Sequence, residues 1–358
     1  SQAVKNAMTY NIWVSTSPGI DCTSPPAATY STGPLKTSYV DTNIVQWTTY
    51  YYVITAVNNS VFPAEESACS NEASAAAIEP AWTLLSVCGE DSNHYLPPAD
   101  PSRFNRPMDA VVDSDGYVYV ADTDNHRVKK INLDCVYKSH WGGLGNANGE
   151  FKKPTGIALY NDEIYVVDNY DRVQVFTKGG VYKRKWYVQF PLDIEVDPGG
   201  TVYVSTEADS IMTYNTTGTY LGKFTVYNPR GIAVDGAFLY VASASDNTVK
   251  VIDPGTGLVD KTLGSSGTGF GQLVFPYDVD VDPSGVIFVA DGLQNDRIQM
   301  FNADGSVNNV IPASCPASSM HTECYMDKPL GVGLAPTGEL VVMDTYGGRV
   351  LIFSPPPP

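Results

Sequence analysis

The chain has 358 residues, and its 39 acidic and 22 basic side chains give a formal net charge of −17 at pH 7. A surface this negative repels phosphate backbones and anionic lipid, so nucleic acid and membrane surfaces are disfavoured as partners. The longest apolar run, residues 50–57, is far shorter than the roughly 20 residues of a membrane-spanning helix. With 31 Gly and 25 Pro, the composition is typical of an all-β chain with many turns.

Residues 1–79 contain Tyr- and Thr-rich alternating segments that begin at positions 9, 37, 48 and 66. They resemble the later strands of a fibronectin type III sandwich, an immunoglobulin-like fold with seven strands in about 100 residues. The resemblance implies that the first two strands are missing, because the segment begins where the third strand belongs. Such a sandwich lacks an edge and part of its core, and we expect it to be unstable as written.

One phrase recurs six times after position 106: a Pro, two further residues, and a run of alternating apolar side chains. The six prolines are Pro107, Pro154, Pro191, Pro229, Pro276 and Pro329. Two more apolar runs follow each phrase, separated by Gly, Asn and Asp turns, and a fourth follows in most repeats. This pattern predicts four antiparallel strands per repeat. Units of about 40 residues cannot each bury a core alone, so we expect them to pack radially.

The sequence DTDNHRV at 122–128 is close to the signature of the NHL repeat family, which also has the Pro-containing phrase described above. The resemblance covers about residues 81–354 and implies a six-bladed β-propeller. Repeats three and four depart from the family because they lack the Asp and Arg that follow the second strand. The predicted fold is therefore all-β: a sandwich at 1–79, a propeller at 80–354 and a Pro-rich tail at 355–358.

The last repeat ends without a fourth strand, whereas an unused apolar segment, AWTLLSVC at 81–88, precedes the first repeat. We expect this segment to form the outer strand of the sixth blade and so to join the two ends of the ring. Without it the ring would keep an unpaired strand edge.

Acidic side chains are predicted to line the central channel. Because strand side chains alternate, the second and fourth positions after each Pro face the axis. Asp109, Asp193 and Asp278 hold the second position in odd repeats, Gly holds it in even repeats, and Glu195 and Asp280 lie one step deeper. Carboxylates that converge in this way repel one another unless a cation or protons compensate. Two interpretations follow: a Ca²⁺ ion held by carboxylate oxygens, or hydrogen bonds from neighbouring backbone amides to each Asp.

An Asp closes the second strand and an Arg opens the third in repeats one, two, five and six. The residues are Asp122, Asp168, Asp291 and Asp344, followed by Arg127, Arg172, Arg297 and Arg349. Repeats three and four lose both residues together, which predicts that the two side chains pair with each other in a structural role.

The histidines argue against one enzyme class. Some propellers with this repeat resemble peptide-amidating lyases, which hold zinc with inner-strand histidines. His94, His126, His140 and His321 all lie outside the channel positions, so that site is not expected. The chain is therefore predicted to be non-enzymatic. The alternatives are a cation-dependent hydrolase or lyase that uses the acidic channel, and a propeller that binds a glycan or peptide on rim tyrosines. Those tyrosines are Tyr95, Tyr170, Tyr277, Tyr325 and Tyr346.

Six cysteines without a CxxC motif favour disulfides and an oxidising compartment. Cys315 and Cys324 share one loop and are predicted to pair. In a four-stranded meander the fourth strand ends on one rim, whereas the turn between the third and fourth strands lies on the other rim. Cys88 and Cys135 are therefore expected on opposite rims, beyond the roughly 7 Å limit for a bridge between Cα atoms. Cys135 is therefore predicted to pair with Cys22 of the first domain.

The sequons at Asn58 and Asn215 are candidate glycosylation sites, in agreement with a secreted or cell-surface protein. The function predicted from these features is that of an extracellular structural or adhesive protein. Its incomplete first domain and its Pro-rich tail predict head-to-tail assembly into a filament, either because a longer protein repeats this unit covalently or because a neighbour supplies the missing strands. The alternative is that the missing strands were merely cut off from this sequence. The expected partners are further copies of the chain, or other extracellular proteins and glycans.

Overall fold

A computed structural model describes residues 8–17, 19–20, 29–32, 49–58, 65–66, 70, 73–76, 82–89, 103–311 and 326–356. The chain divides into two compact units, Ser1–Ala81 and Trp82–Pro358. Each unit is described by itself below.

The described part of the first unit is one antiparallel sheet. Its strands are β1 (Met8–Ser15), β2 (Thr29–Thr32), β3 (Thr49–Asn58), β4 (Glu65–Glu66) and β5 (Ala73–Ala76). Strand β1 lies between β2 and β3, and β3 also pairs with β4 and β5. Trp13 is 6% exposed, and its Nε1 donates to Thr55 Oγ1 at 3.2 Å. The fibronectin type III sandwich remains a prediction, because the described strands form a single sheet.

The second unit consists of six four-stranded antiparallel sheets, and it confirms the predicted all-β, six-bladed propeller. Blade one is β7 (Pro107–Val112), β8 (Tyr117–Asp122), β9 (Arg127–Asn132) and β10 (Tyr137–Gly142). Blade two is β11 (Pro154–Tyr160), β12 (Glu163–Asp168), β13 (Arg172–Thr177) and β14 (Tyr182–Tyr187). Blade three is β15 (Pro191–Val196), β16 (Thr201–Thr206), β17 (Ser210–Asn215) and β18 (Tyr220–Thr225).

Blade four is β19 (Pro229–Val234), β20 (Leu239–Ser243), β21 (Thr248–Ile252) and β22 (Val259–Leu263). Its connection to the next blade contains the short parallel pair β23 (Ser265–Ser266) and β24 (Gln272–Leu273). Blade five is β25 (Asp278–Val281), β26 (Ile287–Asp291), β27 (Arg297–Phe301) and β28 (Val307–Ile311). One 3₁₀ turn, Thr123–Asn125, follows β8.

Blade six takes its strands from both sides of the propeller sequence. It contains β29 (Pro329–Leu334), β30 (Leu340–Asp344), β31 (Arg349–Ser354) and β6 (Thr83–Cys88). Strand β6 pairs with β31 from Thr83↔Ser354 to Cys88↔Val350, so a segment that precedes blade one completes the last sheet. This pairing gives the outer edge of β31 a hydrogen-bonded partner.

The hydrophobic core lies between the blades. The second strands are buried on both faces, as in β8, where every residue from Val118 to Asp122 is buried. Outer strands such as β14 alternate between half-buried and exposed side chains. Each core cluster joins two adjacent blades, and one of them joins Val120 and Ile131 of blade one to Val341 and Ile352 of blade six. The ring therefore closes through continuous apolar packing.

Candidate functional site at the channel and the proline rim

Asp109, Asp193 and Asp278 lie at the axis of the ring and are 9%, 8% and 6% exposed. Each carboxylate joins two blades, because one of its oxygens accepts an amide hydrogen from the inner strand of the following blade. These bonds run from Ile157 N to Asp109 Oδ2 (2.7 Å), from Ile232 N to Asp193 Oδ2 (2.8 Å) and from Val332 N to Asp278 Oδ2 (2.9 Å). The three aspartates therefore connect blades one to two, three to four, and five to six.

Glycines make the other three junctions possible. A Cβ added to Gly156 or Gly231 would collide with the Asp193 or Asp278 carboxylate of the next blade, and at Gly331 it would collide with the Met108 carbonyl. Gly231 N also donates to Tyr277 O at 2.8 Å across its junction. The alternation of Asp and Gly along the chain thus reflects two kinds of blade junction, one bridged by a carboxylate and one based on close backbone contact.

Burial dominates the electrostatics of the channel. It raises the pKa of Asp109, Asp193 and Asp278 well above the usual value, and in each case a neighbouring carboxyl of the same three raises it further. Burial also raises the pKa of Asp280 to about 6 and that of Glu195 to about 8. The backbone amides that donate to these groups oppose the shift only in part. At neutral pH the channel therefore holds protons on some of its carboxyls.

The five acidic residues border a channel cavity of about 170 Å³. Deeper in the channel, Leu334 N donates to Asp280 Oδ2 at 2.8 Å and Val196 N donates to Glu195 Oε1 at 3.0 Å. Among the described residues, no group of three or more His, Cys, Asp or Glu side chains is arranged to hold a metal ion. The amide-bonded interpretation describes the channel in this structure, and a Ca²⁺ ion remains only a prediction.

The four predicted Asp–Arg pairs all form, with buried partners. The distances are 2.7 Å for Arg127–Asp122, 3.0 Å for Arg172–Asp168, 2.9 Å for Arg297–Asp291 and 2.7 Å for Arg349–Asp344. The guanidinium groups also bind carbonyls of the connection that precedes their blade: Arg172 donates to Asn146 O at 2.8 Å, and Arg297 donates to Thr268 O at 2.8 Å. Each of these two pairs therefore anchors a long connection.

This anchoring explains why blades three and four lack the pair. The connections before them, 188–190 and 226–228, are only three residues long, so they offer no loop for an Arg to hold. Thr206 and Ser243 take the place of the Asp. Ser243 Oγ donates instead to Tyr227 O, at 2.8 Å.

We call the edge of the ring on which the six inner strands begin the proline rim. The residue before each of the six prolines has a positive φ between 43° and 56°, a conformation that is unusual for a residue other than Gly. At five junctions its N–H donates to a side chain in the turn between the second and third strands of the preceding blade. The bonds are Lys153 N to His126 Nδ1 (3.0 Å), Phe190 N to Asp171 Oδ1 (2.7 Å), Asn228 N to Asp209 Oδ1 (2.7 Å), Phe275 N to Asn247 Oδ1 (2.7 Å) and Lys328 N to Asp296 Oδ1 (3.1 Å). At the junction from blade six to blade one the corresponding turn residue is Gly348, which has no side chain to accept.

The two histidines and the two sequon asparagines that the structure describes lie in turns, on an outer strand or at strand ends. His126 is the acceptor in the rim turn just described, and His140 lies on outer strand β10, where its Nδ1 is 2.8 Å from the Tyr137 hydroxyl. Asn215 ends β17, and its Oδ1 accepts the Thr217 and Thr219 amides at 3.0 and 2.8 Å. Asn58 ends β3. Glycosylation of Asn58 and Asn215 remains a prediction, and His94 and His321 lie outside the described residues.

Basic side chains lie over the rings of all three predicted rim tyrosines that the structure describes. Lys328 Nζ and the Arg106 guanidinium lie 4.4 and 4.8 Å from the ring centroid of Tyr346. The Arg230 guanidinium lies 5.4 Å from the centroid of Tyr277, at the channel mouth. Tyr170 is likewise flanked, by Lys152 and Arg172. Tyr95 and Tyr325 lie outside the described residues.

Sequence reasoning missed three other aromatic side chains on this rim. Tyr187, Phe190 and Tyr227 are 66%, 50% and 59% exposed and lie at the short connections that lead into blades three and four. The loss of the Asp–Arg pair in those blades was the available signal, because it marks the places where no long connection covers the rim.

The predicted Cys22–Cys135 bridge is wrong, because Cys135 is bonded to Cys88 with a Cα–Cα distance of 5.0 Å. The argument from opposite rims fails since neighbouring strands rotate by about 20–25° relative to each other, so an outer strand does not run parallel to the axis. Cys88 is 2% exposed and packs between blades six and one. Cys22, Cys315 and Cys324 lie outside the described residues, and the Cys315–Cys324 bridge stays a prediction.

The repeats show why Cys88 and Cys135 meet. Trp141 of blade one and Trp186 of blade two pack on Gly180 and Gly218, each in the outer turn of the next blade, where an added Cβ would lie 2.7 Å from the indole. Cys88 pairs with Val350 across strands β6 and β31. Trp141 pairs with Val128, and Trp186 with Val173, at the equivalent positions of blades one and two. Cys135, with φ +65°, occupies the turn position of Gly180 and Gly218. The disulfide therefore replaces an aromatic–glycine contact.

Comparison with known proteins agrees with this geometry. The family model of the NHL repeat matches residues 104–131, which hold β7, β8 and most of β9. This part of the chain is an NHL repeat. The protein brain tumor of Drosophila melanogaster is 24% identical over 130 residues, which make up 34% of this chain and 12% of that protein. The NHL-type chain thus matches only about an eighth of the length of this curated relative.

Solved structures show the same fold at low sequence identity. A protein of unknown function from Bacteroides thetaiotaomicron has a TM-score of 0.59 and 13% identity, covering 96% of this chain and 90% of its own. The WD40 propeller domain of Doa1 has a TM-score of 0.54 and 15% identity, covering 76% of this chain and 97% of that domain. Streptogramin B lyase has a TM-score of 0.51 and 13% identity, covering 86% and 89%. These likenesses establish the propeller fold and carry no catalytic residue over to this chain.

None of the described residues belongs to a helix that is long and apolar enough to cross a bilayer.

Proposed function

We propose that this NHL-type chain is a non-enzymatic scaffold for protein–protein interaction that acts outside the cell and assembles head to tail. The observation that supports a scaffold is the use of its polar groups. The channel carboxylates and the Asp–Arg pairs bind the backbone of the ring itself. Three exposed aromatic side chains, Tyr187, Phe190 and Tyr227, in contrast, lie on a rim whose turns are fixed by hydrogen bonds. NHL propellers are protein-interaction domains, which agrees with this use of the rim.

The disulfide supports the extracellular part of the proposal. A Cys88–Cys135 bond that closes the ring persists in oxidising compartments and is rare in the cytosol. The head-to-tail part is supported by the first unit, in which β2 forms one edge of the described sheet. Such an edge can accept a strand from a neighbouring molecule, and a repeated contact of that kind builds a filament.

Sedimentation velocity and negative-stain electron microscopy of the full chain without reductant test this proposal. We expect oligomers whose length grows with protein concentration, because a heterologous contact does not close on itself. A chain that stays monomeric from low to high micromolar concentration, with a folded first unit, would contradict head-to-tail assembly.

A further inference from the structure

Tyr187, Phe190 and Tyr227 lie at two successive blade junctions of the proline rim, and we call them the aromatic arc. All three are at least half exposed, at 66%, 50% and 59%. They follow one another around the ring, since Tyr187 and Phe190 flank the connection into blade three and Tyr227 lies in the connection into blade four. Exposed aromatic groups gathered on one sector favour a binding surface over scattered apolar residues.

The backbone beneath the arc is held in place. Phe190 N donates to Asp171 Oδ1 at 2.7 Å, and Phe190 O accepts the Glu207 amide at 3.0 Å. Tyr227 O accepts the Ser243 hydroxyl at 2.8 Å. A ligand that binds these rings therefore loses little conformational entropy in ordering the backbone that carries them.

The aromatic rings of the arc differ from those of the other rim tyrosines in having no stacked cation among the described residues. Tyr346 and Tyr170 are stacked by Lys and Arg side chains, whereas no cation is stacked on the arc residues within the described chain. The Tyr187 and Tyr227 hydroxyls likewise have no hydrogen-bond partner among the described residues. The arc thus offers open, uncharged aromatic faces together with two free phenol groups.

A polyproline helix matches that chemistry. Its pyrrolidine rings pack on aromatic side chains, and its carbonyls need external donors because proline has no N–H. Phenol hydroxyls can supply those donors. This chain contains such a segment, Ser354 followed by four prolines at 355–358, directly after β31.

The segment cannot reach the arc of its own molecule. Arg349 pairs with Asp344 at the proline rim and β31 runs away from it, so Ser354 lies near the opposite rim. Six strand residues rise about 20 Å, whereas four prolines in a polyproline helix extend only about 12 Å. In a six-bladed ring, blade six also lies opposite blade three. Any contact between this segment and an aromatic arc therefore requires two molecules.

We propose that the proline segment 355–358 of one molecule docks on the aromatic arc of a second copy. This inference rests on the proposed head-to-tail assembly and names one of its contacts. The contact is heterologous, since it joins the far rim of one ring to the proline rim of the next.

Fluorescence polarisation of a labelled Ser-Pro-Pro-Pro-Pro peptide with the full chain tests the contact, with Ser-Ala-Ala-Ala-Ala as the matched peptide. We expect saturable binding of the proline peptide alone. The variants Phe190→Ser and Tyr227→Ser should each weaken it about ten-fold, the loss typical of truncating an aromatic anchor. Tyr220→Ser is the matched protein control, because Tyr220 is 51% exposed but lies on the outer strand β18.

Equal binding of the two peptides, or equal weakening by Tyr220→Ser, would overturn the docking site. A variant with all four prolines replaced by alanine separates this inference from the proposed function. If the variant assembles as the parent chain does, the proline contact is refuted while head-to-tail assembly stands. If the parent chain never assembles although the peptide binds the arc, the second copy is not the occupant and the proposed assembly fails. Loss of assembly in the alanine variant supports the proposal.

Discussion

Five blade junctions of the ring are built alike on the proline rim, and the sixth, between blades six and one, differs. The five have a turn side chain that accepts the amide before the next proline, as Asp171 accepts Phe190 N at 2.7 Å. The sixth has Gly348 in that turn. Near the outer edge, two of the five junctions have Trp packed on Gly, whereas the sixth has the Cys88–Cys135 bond. The junction between strands from distant parts of the sequence thus has a covalent bond in addition to its apolar packing.

Removing that bond should have the largest effect. The double variant Cys88→Ser/Cys135→Ser should lose about 2–5 kcal/mol of unfolding free energy, since the bridge constrains the unfolded chain across 47 residues. Urea unfolding without reductant measures the loss. The variant Cys88→Trp/Cys135→Gly, which copies the Trp141–Gly180 junction, should regain part of it. Equal stability of wild type and the serine variant would show that the sixth junction does not depend on the disulfide.

The channel carboxyls predict a pH dependence of the opposite sign to ordinary acid denaturation. Burial raises the pKa of Glu195 to about 8, so the folded state keeps a proton that the unfolded chain loses above about pH 4. The native state then binds more protons, and the free energy of unfolding falls as pH rises from about 4 to 8. Glu195→Gln should remove this loss and gain about 4 kcal/mol relative to wild type at pH 8, because each pKa unit of the shift corresponds to about 1.4 kcal/mol. Parallel stability profiles of the two proteins between pH 4 and 8 would contradict a Glu195 that keeps its proton in the channel.

The junctions based on close backbone contact should fail when a methyl group is added. Gly231→Ala places a Cβ against the Asp278 carboxylate and its backbone, and overpacking of this kind costs about 1–3 kcal/mol. Thermal unfolding measures the change. Gly222→Ala is the matched control, because the nearest atom to its added Cβ is 3.6 Å away. A loss of similar size in both variants would mean that close contact at the axis is not the reason why position 231 requires glycine.

Removing one rim acceptor should have the smallest effect. Asp171→Ala removes the acceptor of Phe190 N and should lower the free energy of unfolding by about 1–2 kcal/mol. Asp171→Asn should preserve stability, because an amide oxygen accepts the same bond at Asn247. Urea unfolding of the two variants checks this, and equal losses would assign the effect to charge instead of the hydrogen bond.

The sequence allowed the propeller to be predicted because its prolines mark the start of each inner strand. The Asp–Arg pairs were also predictable, since the two residues disappear together from blades three and four. The Cys88–Cys135 bond was missed because strand twist was ignored. Alignment of the repeats would have revealed it, as Cys135 takes the place of Gly180 and Cys88 takes that of Trp141.

Other features carried no such periodic signal. The aromatic arc lies in connections whose residues differ from one blade to the next, so its exposure depends on the loops that are absent there. Glu195 is one of the acidic residues predicted for the channel, but its retained proton follows from burial, which spacing alone does not reveal. The fibronectin type III sandwich and the Ca²⁺ ion stay predictions.

The register of the closing strand determines how the propeller would respond to tension. Thr83 lies opposite Ser354, so the segment before β6 and the segment after β31 both leave the strand pair at the same end. Force applied through the segments before Thr83 and after Ser354 would separate the paired residues one after another, which needs less force than shearing them together. On the β6 arm this separation stops at Cys88, because the bond to Cys135 then transmits the load to blade one. A molecule under tension would therefore extend by only a few residues on the β6 arm before the disulfide bears the load.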